Sequence, residues 1–457
     1  MPDPAESLLE VGGQPRRQLG AVHATVLALG MMLSIDTLKT SSLVAQAVGH
    51  WHFYPMWVLG GLLSVLGALC YAEMAAAFPH PGGDYHFLRR AYGLRVAALF
   101  AWSRFSIMHT GWIALMAFML VDYLQSLVPL SPLAYRTCAV AVIVALTLFN
   151  RSNLRLGLVT QAGLTLLVVA GFVSILAAAA VLVARHQALP VVIPVTAGAM
   201  PGAASTAMIY IFLAYGGWND IATLSAELRD PRRGMVIATL AAIGLLVGIY
   251  LLTNVALVAG LGIDGLAHSR SPAAELLMKA FGTPGAWVIV AIVCIAAISG
   301  INSTLIVGAR TTYAVAAELP LPGRLGRWQD DGRGPAAAML AEGGMAMLLV
   351  WFGSYSGDGF SAMIDYMTPV FWGFLTLSTL AVLILRRRYP QVPRPVRAPL
   401  HPLCPLLFLP VALYMLVSSL RELGAAAWYG VAVLALGAVL VELLLRLRPA
   451  TAARVES

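Results

Sequence analysis

Twelve apolar runs, each about one bilayer thick, leave this chain of 457 residues few ways to fold. They fall at roughly 19–48, 54–78, 94–124, 133–149, 154–184, 205–226, 235–262, 283–314, 335–354, 359–385, 400–420 and 426–446. An α-helix rises about 1.5 Å per residue, so about 20 apolar residues cross the hydrocarbon of a membrane. The runs are continuous and lack the period-two alternation of a membrane barrel. Only 11% of the residues are charged and 60% are hydrophobic, whereas a soluble domain carries roughly a quarter charged residues. The sequence therefore predicts an all-α polytopic membrane protein with about twelve transmembrane helices and the lipid bilayer as its solvent.

The formal net charge of +8 does not mark a nucleic-acid binder, because the charges sit in short loops between apolar runs. With the N-terminus in the cytosol and the runs alternating in direction, the cytosolic loops collect twenty-two basic residues and the outer loops five. The outer five are Arg136, Arg185, Arg270, Lys279 and Arg421, and Lys39 and Arg104 fall inside runs. That asymmetry predicts that both termini are cytosolic. Residues 1–18 are polar, lack the apolar core of a signal peptide, and read as a cytosolic tail. Residues 447–457 read as a second one. Cys70, Cys138, Cys294 and Cys404 are scattered through apolar stretches and read as small core residues, with neither a metal site nor a disulfide framework among them.

The longest loops are 185–204 and 262–282 on the outer side and 316–334 on the cytosolic side. In the second, Ser271 precedes Pro272 and the stretch Ala273-Ala274-Glu275-Leu276-Leu277. A serine N-cap followed by proline at the first helical position predicts a short helix there.

Two runs carry features that a lipid-facing helix avoids. The first places Ser34, Asp36 and Lys39 at mid-span, and an ionised group there costs several kcal/mol unless it faces protein or water. The sixth carries Gly216-Gly217 followed by Trp218-Asn219-Asp220, and each glycine weakens a helix by about 1 kcal/mol relative to alanine. Breaks in corresponding positions of two halves point to a transporter built as a 5+5 inverted repeat, with discontinuous helices 1 and 6. Helices 1–5 then span about 19–184 and helices 6–10 about 205–385, a transport core over 19–385, and 386–446 adds a cytosolic loop and helices 11 and 12. At each break, helix ends supply bare N–H and carbonyl groups suited to a small zwitterion. No metal cluster, phosphate loop or nucleophile triad is evident, which argues against an enzyme and against a cofactor.

Several stretches in order carry a family resemblance: Leu69-Cys70-Tyr71-Ala72-Glu73-Met74 into Phe78-Pro79-His80-Pro81-Gly82-Gly83-Asp84-Tyr85; Ala214-Tyr215-Gly216-Gly217-Trp218-Asn219; and Glu227-Leu228-Arg229-Asp230-Pro231-Arg232-Arg233. Gly308-Ala309-Arg310, Thr368-Pro369-Val370-Phe371-Trp372 and Arg386-Arg387-Arg388-Tyr389-Pro390 follow. Over nearly its whole length the chain resembles the amino acid–polyamine–organocation superfamily, and within it bacterial permeases similar to L-type amino acid transporters. The resemblance implies a LeuT-type fold, secondary active transport by alternating access, and residence in a bacterial inner membrane. It also implies an amino acid or closely related small amine as substrate, with a proton or sodium as the coupling ion. Substrate would lie between the breaks, at Ser34, Ile35, Asp36 and Thr37 and at Phe212, Leu213, Ala214, Tyr215, Gly216, Gly217 and Asn219, with His109 and Trp112 of helix 3 beside them.

The chain departs from the family pattern where helix 1 breaks. Relatives carry a glycine-rich Gly-Ser-Gly or Gly-Ala-Gly there, whose N–H groups hold a carboxylate; here Ser34 to Leu38 contain no glycine, and Asp36 stands at the second glycine position. Val168 stands where many relatives have a lysine in helix 5, and Leu213 where many have a phenylalanine gate. Two readings of Asp36 follow. It caps the second half of helix 1 and pairs with Lys39 three residues on, or it binds a substrate amine or coupling cation or is protonated during transport. The second reading favours an amine or polyamine carrier with Asp36 as cation ligand. A third possibility for the whole chain is a non-transporting membrane sensor. Lys39 is then a partner of Asp36 or a gating charge. Arg104 reads as a snorkelling or carbonyl-bonding residue, His109 as a packing residue or a proton carrier, and Trp112 as a wall of the cavity or part of the core. Trp218 reads as a residue lining the site or as interhelical packing, and Glu73, Glu227, Asp230, Arg232 and Arg233 as loop-fixing or gating ion pairs.

Overall fold

The computed structural model describes residues 25, 28–29, 32–48, 52–78, 83–152, 154–191, 202–219, 231–318, 321, 323–327, 335–394 and 402–447. Within them every regular element is helical. Ten helices are long and apolar enough to cross a membrane. The other two predicted spans, the first and the sixth, are represented by α1 (Thr37–Val48) and α8 (Ala203–Ala214), each half a bilayer long because its span is broken.

The second span is α2 (Phe53–Ala77), joined through the short α3 (Asp84–Tyr92) to the third. That third span is α4 (Leu94–Ser103), one π-helical turn (Arg104–Met108) and α5 (His109–Gln125). Spans four and five are α6 (Pro132–Ser152) and α7 (Leu154–Ala184). After α8, the seventh span is α9 (Pro231–His268), followed by the short α10 (Pro272–Phe281) and the eighth, α11 (Thr283–Glu318). The last four are α12 (Ala336–Gly353), α13 (Gly359–Arg388), α14 (Leu403–Glu422) and α15 (Ala425–Arg446).

The inverted repeat is visible in which helices touch. α1 packs on α8, α2 on α9, the third span on α11, and α6 on α12, so four of the five counterparts in the two halves meet directly. The crossed contacts mirror one another as well: α1 with α9 answers α8 with α2, and α5 with α13 answers α11 with α7. The two short connectors are counterparts too. α3 precedes the third span and lies on α13, while α10 precedes the eighth and lies on α7. Each closes on a glycine with positive φ, Gly93 and Gly282. The molecule is thus an all-α LeuT-type bundle in which helices 1 and 6 are discontinuous.

The expected helix after Ser271 is present, but its cap differs. Ser271 makes no side-chain cap hydrogen bond. The Ser269 hydroxyl donates to Glu275 at 2.5 Å and accepts the Ser271 N–H at 3.2 Å. Lipid contact explains the exposed leucines and valines along α6, α14 and α15.

Candidate functional site

The first span loses its helix over residues 33–36. Ser34 and Asp36 offer the backbone local hydrogen bonds that compete with helix, and Ile35 is β-branched. The helix restarts when Leu38 N–H bonds to Ile35 O at 3.1 Å and Thr40 N–H to Asp36 O at 2.9 Å. The sixth span stops at Ala214 and becomes a turn over residues 215–219. Gly217 there has φ of +88°, a left-handed conformation that side-chain-bearing residues rarely adopt. The continuation beyond residue 219 lies outside the described residues.

Tyr250 of α9 holds the two breaks together. Its hydroxyl accepts the Ser34 N–H at 3.1 Å and lies 3.4 Å from the carbonyl oxygens of Met32 and Ser34. Its ring stacks on Tyr215 at 5.6 Å and meets Trp57 of α2 edge-on at 6.2 Å and Phe172 of α7 at 6.0 Å. Tyr215 in turn donates its hydroxyl to the Trp57 carbonyl at 3.2 Å.

Buried polar atoms without partners gather at this junction. Asp36 is fully buried, and neither carboxylate oxygen has a hydrogen bond of ordinary geometry. Its nearest donors are the Ser34 hydroxyl and the N–H groups of Asp36 and Thr37 at the start of α1. The Thr37 hydroxyl and the Trp57 indole N–H are likewise buried and unpartnered. Buried polar groups are ordinarily hydrogen-bonded, so a group of them at two helix breaks is where a polar ligand gains most.

The other expected site residues divide. Ile35 is packing, its Cδ1 turned towards Gly171 of α7. Phe212 packs edge-on against Trp372 of α13 at 4.8 Å, Ala214 is buried and Leu213 half-buried. Gly216, Gly217 and Asn219 are half-buried in the turn. Trp218 is packing, between Tyr71 and Phe408. Trp112 is half-buried against the main core. His109 belongs elsewhere: its ring lies among Arg104, Gly308 of α11 and Glu342 of α12. Arg104 donates to His109 rather than only snorkelling.

The local Asp36–Lys39 pair does not form. Lys39 lies within α1 and projects towards the third and tenth spans. Its ammonium pairs with Asp122 of α5, stands 3.5 Å from Asp358 at the N-cap of α13, and lies 4.5 Å from the Phe360 ring centre. Tyr135 of α6 donates to the other Asp122 oxygen at 2.8 Å. Burial pushes the Asp358 carboxyl up, but the Lys39 ammonium and the hydrogen bonds from Ser361 outweigh it and hold it below the usual carboxylate range. At the other end of α13, Arg386 and Arg394 converge on Glu73, with Arg386 Nε 2.6 Å from the carboxylate. Glu73 is therefore the ion-pairing residue expected. Glu227 and Asp230, and the side chains of Arg232 and Arg233, lie outside the described residues.

Sequence reasoning passed over Tyr250, Asp122 and Glu342. Glu342 is a lone acid in the ninth apolar run, the same signal that singled out Asp36. Tyr250 carries no such signal, because tyrosine is ordinary in an apolar run.

Three kinds of curated relative align with this chain over most of its length. It is 28% identical to the Asc-type amino acid transporter 1 of Mus musculus over 424 residues, 88% of this chain and 76% of the mouse protein. It is 26% identical to the large neutral amino acids transporter small subunit 2 of Homo sapiens over 437 residues, 92% of this chain and 79% of that one. It is 24% identical to the human b(0,+)-type amino acid transporter 1 over 407 residues, 88% and 81% of the two chains. A family profile described as amino acid permease matches residues 19–441.

Proposed function

This chain belongs to the amino acid permease family, and on that footing we propose that it is a secondary active transporter that carries an amino acid or a closely related small amine by alternating access. The observation that carries the site is the buried Asp36 carboxylate, without a hydrogen bond of ordinary geometry, where the two broken spans meet under Tyr250. A carboxylate at the start of α1 takes the place that a substrate carboxylate would otherwise fill. It attracts an ammonium instead. The substrate accordingly lacks a free α-carboxylate or brings a second cationic group that Asp36 engages. The unpartnered Asp36 also favours the second reading, an amine or polyamine carrier.

The two ion-pair clusters on α13 fit alternating access. The Lys39 cluster ties α1 to the third and tenth spans at one end, and the Glu73 cluster ties α2 to the tenth span at the other. The arginine distribution supports cytosolic termini, and the resemblance to bacterial permeases supports a bacterial inner membrane. Reporter fusions at Ser457 and within residues 185–204 should give opposite sidedness. The function itself is tested by reconstituting the purified protein in liposomes and comparing uptake of labelled amino acids, their decarboxylated amines and polyamines. Saturable uptake of at least one, competed by its unlabelled form, supports the reading; no uptake of any favours a sensor.

A further inference from the structure

A second buried carboxylate lies away from the helix breaks. Glu342 of α12 is fully buried inside a membrane-spanning helix. Its Oε2 accepts from Thr312 of α11 at 3.3 Å. Its Oε1 lies 3.5 Å from His109 Nδ1, with no hydrogen bond of ordinary geometry. An ionised carboxylate has about four acceptor sites, and this one satisfies few of them. In a span, that under-solvated charge makes proton binding the cheapest neutralisation.

Arg104 settles where the proton goes. Its Nε donates to His109 Nε2 at 2.9 Å. A guanidinium has no acceptor, so Nε2 must present its lone pair, and the imidazole proton sits on Nδ1, towards Glu342. A doubly protonated ring would lose that bond and face the Arg104 charge. The chain therefore reads cation, neutral imidazole, carboxylate, and its free proton-accepting position is Glu342.

The surrounding backbone is shaped for this arrangement. Residues five apart on an α-helix point about 140° away from each other. The π turn of Arg104–Met108 closes with the His109 N–H on the Arg104 carbonyl, which brings the two side chains together. Such turns recur at functional sites. Tyr366 of α13 ties the turn down by donating to the Ser106 carbonyl at 3.0 Å. Gly308 leaves the room: a Cβ there would stand 2.1 Å from Glu342 Oε1 and 3.0 Å from His109 Nδ1. The groups facing Glu342 are few. Thr312 comes from α11, whose Arg310 is exposed, and Arg104 and His109 come from the third span. From α6 the Thr147 hydroxyl lies against Gly343, and from α13 Tyr366 is engaged at Ser106. Among the described residues, Arg104 is the charged group acting on Glu342.

We propose that Glu342, aligned by His109 and Arg104, is a proton-binding site that couples solute movement to a proton gradient. The proposal rests on the transport reading above for its coupling role. The O–H bond forms on Glu342 with a proton from solvent and breaks to return it. With Glu342 ionised, its carboxylate draws α12 towards Arg104 of the third span. With Glu342 protonated, that attraction falls. Proton occupancy thereby biases how α12 sits against the third span.

Two measurements test this. Infrared pH-difference spectra of the purified protein should show a buried carboxylic C=O band that Glu342→Gln abolishes; should that variant not fold, Glu342→Asp should shift the band. This readout needs no substrate, so it survives failure of the transport reading. An unchanged carboxylic region in either variant overturns the site. In liposomes, Glu342→Gln should keep exchange of preloaded solute but lose accumulation driven by an imposed pH gradient. Gradient-driven accumulation equal to that of the native protein would overturn the coupling.

Discussion

The Tyr250 hydroxyl accepts the Ser34 N–H at 3.1 Å while the Tyr250 ring stacks on Tyr215 at 5.6 Å. One side chain of the seventh span therefore touches both broken spans. The hydroxyl does for the first break what a helical carbonyl would have done, and the ring fixes the sixth break against α2 and α9. A ligand between the breaks rests on a frame that this tyrosine closes.

Tyr250→Phe separates the two contacts. The ring stack survives, and the half-buried Ser34 N–H loses its acceptor, at a cost of up to about 1–3 kcal/mol. Substrate affinity should fall roughly tenfold or more, with the protein still folded and inserted. Calorimetric titration of the purified variant reads this directly. Native affinity in the variant would mean that the hydroxyl only fills space.

Gly217→Leu should abolish uptake while leaving the bundle intact. At a φ of +88° a side chain costs about 1–2 kcal/mol, which the local turn can escape by rebuilding. Gly216→Leu adds a clash, since a Cβ there would stand 2.9 Å from the Leu213 carbonyl oxygen. Uptake assays with size-exclusion profiles of both variants decide the matter. Normal transport by both would remove this turn from the site.

The spans and their two breaks were legible because lipid imposes a simple rule on sequence: long apolar runs cross, and polar or glycine-rich interruptions mark where they fail to stay helical. Lys39 shows the limit of that rule. Asp36 is three residues away and looks like its partner, yet the ammonium goes to Asp122, 83 positions on, and to Asp358. The choice is made by how α1 leans on the third and tenth spans, which no local pattern records. His109 fails for the same reason. Its place in the third span is readable, but the π turn that rotates it towards Arg104 and Glu342 is not.

Lys39→Met should destabilise the fold and disturb gating together. Removing one member of a buried ion pair costs about 3–5 kcal/mol, because the remaining carboxylates keep their charge without compensation. A fall in apparent melting temperature and a leak or loss of solute exchange should accompany it. The pH dependence of Asp358 is predictable in sign. Asp358 is held below its ordinary value of 3.8, so its contribution is fully present above that value and is lost only as pH falls through the lower folded one. Melting curves of the native protein should therefore show no loss from Asp358 between about pH 5 and 8. A loss of stability in that window that disappears in Lys39→Met would overturn this reading of Asp358.

Asp36 gives the sharpest prediction for substrate. Asp36→Asn keeps the shape of the side chain and removes its charge, so it tests electrostatics apart from packing. If Asp36 engages a cationic group of the substrate, loss of that desolvated charge-assisted hydrogen bond costs about 1.5–3 kcal/mol, or roughly tenfold to a hundredfold in affinity. The fold should not suffer, because neither oxygen of Asp36 makes an ordinary hydrogen bond within the protein. Asp36→Gly goes further. It removes the negative charge beside the N–H groups at the start of α1 and should shift preference from amines towards simple zwitterionic amino acids, whose carboxylate those N–H groups attract. A thermal-shift screen of both variants against amino acids, decarboxylated amines and polyamines ranks the ligands, since a ligand that binds the native state raises its apparent stability. Should Asp36→Asn bind and transport every ligand as the native protein does, at each pH tried, the carboxylate serves only the half-helix that it precedes.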